Sequence, residues 1–381
     1  MNSIEELKRI WKYLLSIQGW RTKRKIVVFE SDDWGSIRMP SENTYEKCLK
    51  AGYPVDKISY ERYDSLLSSN DLELLFDLLC RFKDKNGNHP IITANCVVAN
   101  PDFEKIKRDN FNNYYYELIT DTFKRYPEHI YNFRLWQEGI VEKIFFPQYH
   151  AREHLNVSMF MDALRRNNQD VHFGFDNQMA GCIKKGTVVE GNIYVEPTNY
   201  DSAEDKEQKL KIYLEGLDLF EKLFGYRSET IIPPNYIWSP DYDKSVWEKG
   251  VKFIQGIRKY REPISNGKFH YHPVYTGKRN ALGQIYLVRN CIFEPSMFNL
   301  DIKDPVEKCL SDMAIAFKMH KPAVIVSHRL NYVGFIDENN RDKTLKLLNK
   351  LLETALKRWP DIEFMRSDQL GVMINKEVNY K

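Results

Sequence analysis

Long apolar runs are missing from this 381-residue chain. The longest, such as residues 26–29 and 323–326, fall far short of the ~20 residues a membrane-spanning helix needs. Cysteine is sparse: Cys48, Cys80, Cys96, Cys182, Cys291 and Cys309 stand apart, with no CxxC pair. That spacing excludes a zinc knuckle and a disulfide-dense scaffold, and reduced thiols are expected. Charge of one sign is also lacking. Lys plus Arg number 56 and Asp plus Glu 53, a formal net charge of +3, which argues against a phosphate-coating role and against a nucleic-acid partner. Glu5 and Glu6 precede Lys8, Arg9 and Lys12, and no apolar stretch of secretory length follows, so no signal peptide is expected and a cytoplasmic protein is.

What is present is core-forming material: 43% hydrophobic residues, 13% of the chain aromatic. Ile4, Leu7, Trp11, Leu14 and Leu15 recur at helical spacing, predicting an amphipathic helix within residues 1–24 that docks on the rest. Its basic flank, Arg21, Lys23, Arg24 and Lys25, could meet an anionic membrane surface, but no second anchoring signal accompanies it. Strand-like runs follow at 25–29, 91–98, 144–146, 171–175, 230–232, 251–254, 285–293, 323–326 and 362–364. Helical periodicity separates them at 72–82, 114–126, 159–166, 210–224, 306–320 and 343–358. Strands alternating with helices of that length favour a parallel sheet, and so many units favour one closed α/β barrel in a single domain over 25–381. Segments at about 41–143 and 181–202 read as insertions on it.

Several apolar runs end abruptly in reactive side chains, and in parallel barrels the site lies at the C-terminal strand ends. Val27, Val28 and Phe29 lead into Glu30, Ser31, Asp32, Asp33 and Trp34. Residues 144–146 lead to His150 and His154, and residues 323–326 to Ser327, His328 and Arg329. Histidines at i and i+4 would share one helical face and could reach one divalent ion together with a carboxylate. Each motif alone has a plainer reading: surface or core histidines, an acidic helix cap, a satisfied buried imidazole. Their shared placement at strand ends favours chemistry.

In order along the chain, the FESDDWGS, HAREH and VIVSH segments resemble motifs one, two and five of the polysaccharide deacetylases, carbohydrate esterase family four. The resemblance implies a distorted (β/α)7-type barrel and a metal held by one Asp and two His. Asp33, His150 and His154 would then bind a divalent metal ion, Zn²⁺ foremost, with Asp32 as general base and His328 as general acid. The implied partner is an N-acetylated saccharide. Physically, an Asp-His-His set leaves positions open for water and a carbonyl oxygen, and bound zinc lowers the pKa of its water from about 15.7 towards 7.

The chain also departs from the pattern. Ile232 stands where the third motif carries an Arg, and the strand bearing the fourth motif reads Phe253, Ile254, Gln255, Gly256, Ile257, Arg258, without its Asp. Losing both is self-consistent, because either charge alone would be buried unpaired. Arg258, Arg289 and Arg329 sit at predicted strand ends, and Arg289 is the favoured one to orient Asp32. Ala151 and Leu155 replace the usual neighbours of the two histidines. Among aromatics near the strand ends, Trp34, Tyr236 and Trp238 are candidates to stack on a sugar, and Glu294 is expected to pair with an Arg. Two rival functions remain: a non-catalytic glycan-binding relative, and a glycoside hydrolase, which would need a second acid near Asp32.

Overall fold

The computed structural model describes residues 13–14, 17–179, 185, 193–264, 267–300 and 302–378. Most of the expected N-terminal helix, and most of segment 181–202 before its C-terminal end, lie outside the described residues. The apolar runs form strands β1 (Lys25–Trp34), β2 (Ile92–Val97), β3 (Phe145–Ala151), β4 (Thr230–Ile231), β5 (Phe253–Gly256), β6 (Ile285–Val288), β7 (Cys291–Ile292), β8 (Ala323–Val326) and β9 (Ile362–Phe364). All pair in parallel into one sheet, in the order β6, β5, β4, β3, β2, β1, β8, β7. Strands buried on both faces read as continuous apolar runs, as β1 does from Ile26 to Phe29.

The ring closes through β6 and β7, two parts of one extended run. Arg289 N–H still donates to the Gly256 carbonyl at the end of β5 (2.9 Å), while Asn290 N–H donates to Val324 in β8 (3.0 Å). The chain thus changes partner across a single peptide bond, giving a distorted barrel of seven strand positions. β9 extends β1 at its base, where Val27 lies between Ala323 and Phe364, while β2 takes the same edge higher up. Helices Ser69–Cys80, Asn132–Val141, Ala203–Phe224, Pro305–Lys318, Glu338–Arg358 and Ser367–Val378 surround the sheet. Glu204 and Asp205 stand in the first turn of the long helix Ala203–Phe224, whose N-cap Ser202 accepts from Asp205 N–H. No described helix is long and apolar enough to cross a membrane.

Two expected elements differ. Residues 171–175, read as a strand, lie in the helix Gln169–Asp176, because the Asn168 side chain caps the N–H groups of Asp170 and Val171 and buries Val171 and Phe175 four apart. The expected helix over 114–126 begins instead with the strand Tyr116–Leu118, paired antiparallel with Ala99–Pro101, and becomes helical only over Ile119–Arg125. Elsewhere the helical periodicities coincide with observed helices to within a turn or two.

Candidate metal centre and active site

Asp32 and Asp33 are adjacent, so an ordinary strand would point them to opposite faces. A bulge prevents that. Between Ser31 and Trp34, β1 advances three residues while β2 advances two, and Asp33 takes a left-handed backbone with φ of 73°. His150 is likewise the extra residue where β3 advances two positions, from Tyr149 to Ala151, against one in β2. The histidine pair is therefore not on a helix as its spacing suggests: His150 ends a strand and His154 sits in the loop that follows. Bulges re-aim side chains, and here they turn ligands from two non-adjacent strands towards one point.

His150 Nε2 lies 3.5 Å and His154 Nε2 3.3 Å from Asp33 Oδ1. One ligand atom from each of the three buried residues falls within 4.8 Å of the others. His150 Nδ1 donates to the Ile232 carbonyl at 2.7 Å, which fixes the ring with Nε2 turned towards Asp33. Burial drives the His154 pKa down to about 3 despite the Asp33 charge, leaving it neutral. Burial would raise Asp33, but the positive charge around it, at His328 and Arg38 among others, holds it well below the usual carboxylate range. A neutral imidazole at His154 and an ionised carboxylate at Asp33 are protonation states a metal demands. Ligands about 2.0–2.2 Å from one tetrahedral ion stand roughly 3.3–3.6 Å apart, and the two distances above agree with that. The donor set fits a divalent cation.

Arg289 forks onto Asp32, Nη1 to Oδ2 and Nη2 to Oδ1, both at 2.6 Å, while its Nε donates to Glu30 at 2.7 Å. Burial opposes ionisation of Asp32, but Arg289 overrides it and holds the carboxyl far below its ordinary range. Glu30 is held in turn by the Ser367 hydroxyl. Asn95 Nδ2 also donates to Asp32, and the Asn95 and Gln255 amides bond to each other in both directions. A neutral amide at position 255 thus joins the network without adding a charge to it. Of the other candidate cations, Arg329 is spoken for by Asp64 and the Ser36 carbonyl, and Arg258 lines a cavity beyond His328.

His328 Nε2 stands 3.7 Å from Asp32 Oδ2. Its Nδ1 contacts Glu294 at 2.6 Å, and its backbone N–H donates to the same carboxylate. Burial alone would lower the imidazole pKa; Glu294 overcomes this and lifts it to about 9. Glu294 therefore pairs with a histidine and with Asn331 (2.7 Å), not with an arginine as expected. Its place after β7, beside the end of β8 that carries His328, was the available signal.

The aromatic candidates separate. Trp34 is wholly buried, its indole N–H donating to Ser31 and its ring set edge-on against Phe145 at 4.7 Å. Trp238 is buried too, donating to Asp243 and packing against Tyr213 and Tyr242. Neither offers a face to a sugar, which corrects the expectation for both. Tyr236 lies at the site, its hydroxyl 3.3 Å from Arg289 Nη1, delivered there by left-handed backbone at Asn235 and Tyr236 (φ 53° and 56°). Arg38 stacks over Tyr60 at 4.5 Å, and Tyr60 meets the His328 ring edge-on at 5.7 Å.

No protein-family model and no curated protein matches the chain. Solved structures do. The chain is similar to 4-alpha-glucanotransferase from Thermococcus litoralis at 11% identity and a TM-score of 0.43, over 91% of this chain and 40% of that one. It therefore spans well under half the length of that enzyme. It is similar to a probable polysaccharide deacetylase from Pseudomonas aeruginosa PAO1 at 10% identity and a TM-score of 0.46, over 93% and 92% of the two chains. Peptidoglycan deacetylase PdaC from Bacillus subtilis is matched at 9% identity and a TM-score of 0.35, over 93% and 94%. Both deacetylases are thus matched along nearly their whole length.

Proposed function

We propose that this chain is a metal-dependent hydrolase that removes an N-acetyl group from a saccharide inside the cell. A divalent ion, zinc foremost, would supply a water of lowered pKa and polarise the amide carbonyl. Asp33, His150 and His154 would hold it. Asp32 accepts the proton of the attacking water at a carboxylate oxygen, and Arg289 keeps that carboxylate ionised and aimed. His328 keeps a proton at Nε2 because Glu294 faces Nδ1, and gives it to the departing amine. A non-catalytic binder has no use for a base and a protonated acid 3.7 Å apart beside a cation site. The observation that carries the reading is this convergence of Asp33, His150 and His154 next to Asp32 and His328.

The test pairs elemental analysis with acetate release from N-acetylated saccharides. Wild type should carry close to one ion per chain, and Asp33→Ala and His150→Ala should lose it. Asp32→Asn should retain the ion while turnover falls at least ~100-fold, the low end of what a general base contributes. Equal metal in all proteins, or full turnover in Asp32→Asn, would reject the assignment.

A further inference from the structure

A cavity of about 360 Å³ opens beside His328. Its body is apolar, walled by Ile257, Ile292, Met297, Leu300, Ile315 and Val326. Pockets that enclose whole small molecules run about 300–1,000 Å³, so this one has room for more than an acetyl group.

Most polar groups on its wall have partners inside the protein. Arg289 is held by Glu30 and Asp32, Glu294 by His328 and Asn331, and Asp312 by Lys308. Asn290 bonds to the Pro322 carbonyl and the Val324 N–H. Arg258 differs. It is half-buried, and among the described residues no carboxylate forms an ion pair with its guanidinium. Burial lowers its pKa with no anion to offset the effect. Its neighbour in a small cleft is another cation, Lys321, whose charge Arg21 and Arg258 both oppose. Leaving a partly desolvated guanidinium unanswered is costly, and an anion from outside would relieve it.

We infer that this cavity is a substrate subsite for an anionic group, a carboxylate or a phosphate carried on an apolar or sugar-ring body, with Arg258 the residue that selects it. The word substrate rests on the hydrolase reading; the anion site does not. If that reading holds, the preferred substrate is an N-acylated saccharide bearing an acid group within reach of the amide.

Titration calorimetry on the zinc-loaded full chain tests the site without turnover, using butyrate, butyl phosphate and the neutral butyramide. Wild type should bind at least one anion about 10-fold or more tighter than butyramide, the worth of one charge-assisted hydrogen-bonded pair. The tighter of the two anions identifies the acid group. Arg258→Met should abolish the preference and Arg258→Lys should keep most of it. A preference unchanged in Arg258→Met, or no preference in wild type, overturns the proposal. Acetate release measured alongside separates the two ideas. Absent turnover with an Arg258-dependent preference sinks the hydrolase and leaves the anion site, while the reverse result does the opposite.

Discussion

His328 holds its proton because Glu294 outweighs the burial that would remove it. The folded pKa of about 9 lies above the ~6.5 of an unfolded histidine, so the stability this pair contributes is complete below about pH 6.5 and is lost as pH rises through 9. On the proposed mechanism His328 acts only when protonated, so the rate should fall on the alkaline side near pH 9, and Asp32, ionised throughout, should add no acid limb above pH 4. Glu294→Gln removes the opposing charge and should move the alkaline limb down by about 1–3 pH units. A pH–rate profile checks this, and an unmoved limb would mean another group titrates. Residue identity made Asp32, Asp33, His150, His154, His328 and Arg289 legible from the chain alone, because reactive side chains interrupt apolar runs. Glu294 was legible as a strand-end acid but not as the partner of a histidine, since nothing in one strand states which strand it will lie beside. Trp34 and Trp238 misled for a related reason: strand-end aromatics line a cleft or fill a core according to which way the bulged backbone turns them.

At the level of elements, the sequence periods located strands and helices well and missed the irregularities on which the site depends. HxxxH spacing suggested a helix, whereas a bulge after Tyr149 and a loop do the same work. An inserted residue in one strand leaves no mark in hydrophobic alternation when the strand is buried on both faces. The Val171 and Phe175 run shows the converse, a short apolar stretch whose helical state was decided by the Asn168 cap. Close packing behind β3 offers a test. Gly216, on the helix Ala203–Phe224, faces the strand so tightly that an added Cβ would fall 2.0 Å from the Tyr149 hydroxyl and 2.8 Å from Arg152 Cβ. That hydroxyl already donates to the Tyr213 carbonyl on the same helix. Gly216→Ala should destabilise by about 1–3 kcal/mol despite alanine's better helix propensity. Because Tyr149 adjoins His150, metal affinity should weaken as well. Denaturant unfolding and metal titration check both, and a stabilised variant would show that the helix can shift.

For the whole molecule, Asp33 lies on β1 and the histidines on and after β3, with β2 between them. A bound ion would therefore tie together strands that share no ladder. Binding only the folded state at 100 times Kd adds about 2.7 kcal/mol, so chelation should lower Tm by about 3 °C in wild type. Asp33→Ala should melt identically with and without chelator. Differential scanning calorimetry reads this directly, and a wild-type Tm indifferent to chelation would remove the ion from the fold's account. The handover at Arg289 and Asn290 carries a further consequence. The residue that holds Asp32 is next to the one that seals the ring, so this stretch has no slack. One amino acid inserted or deleted there would rotate the guanidinium out of the barrel and unfasten the seam in the same stroke. Loops around the rim can lengthen or shrink over evolutionary time, but the count from Val288 to Cys291 is one this architecture must keep.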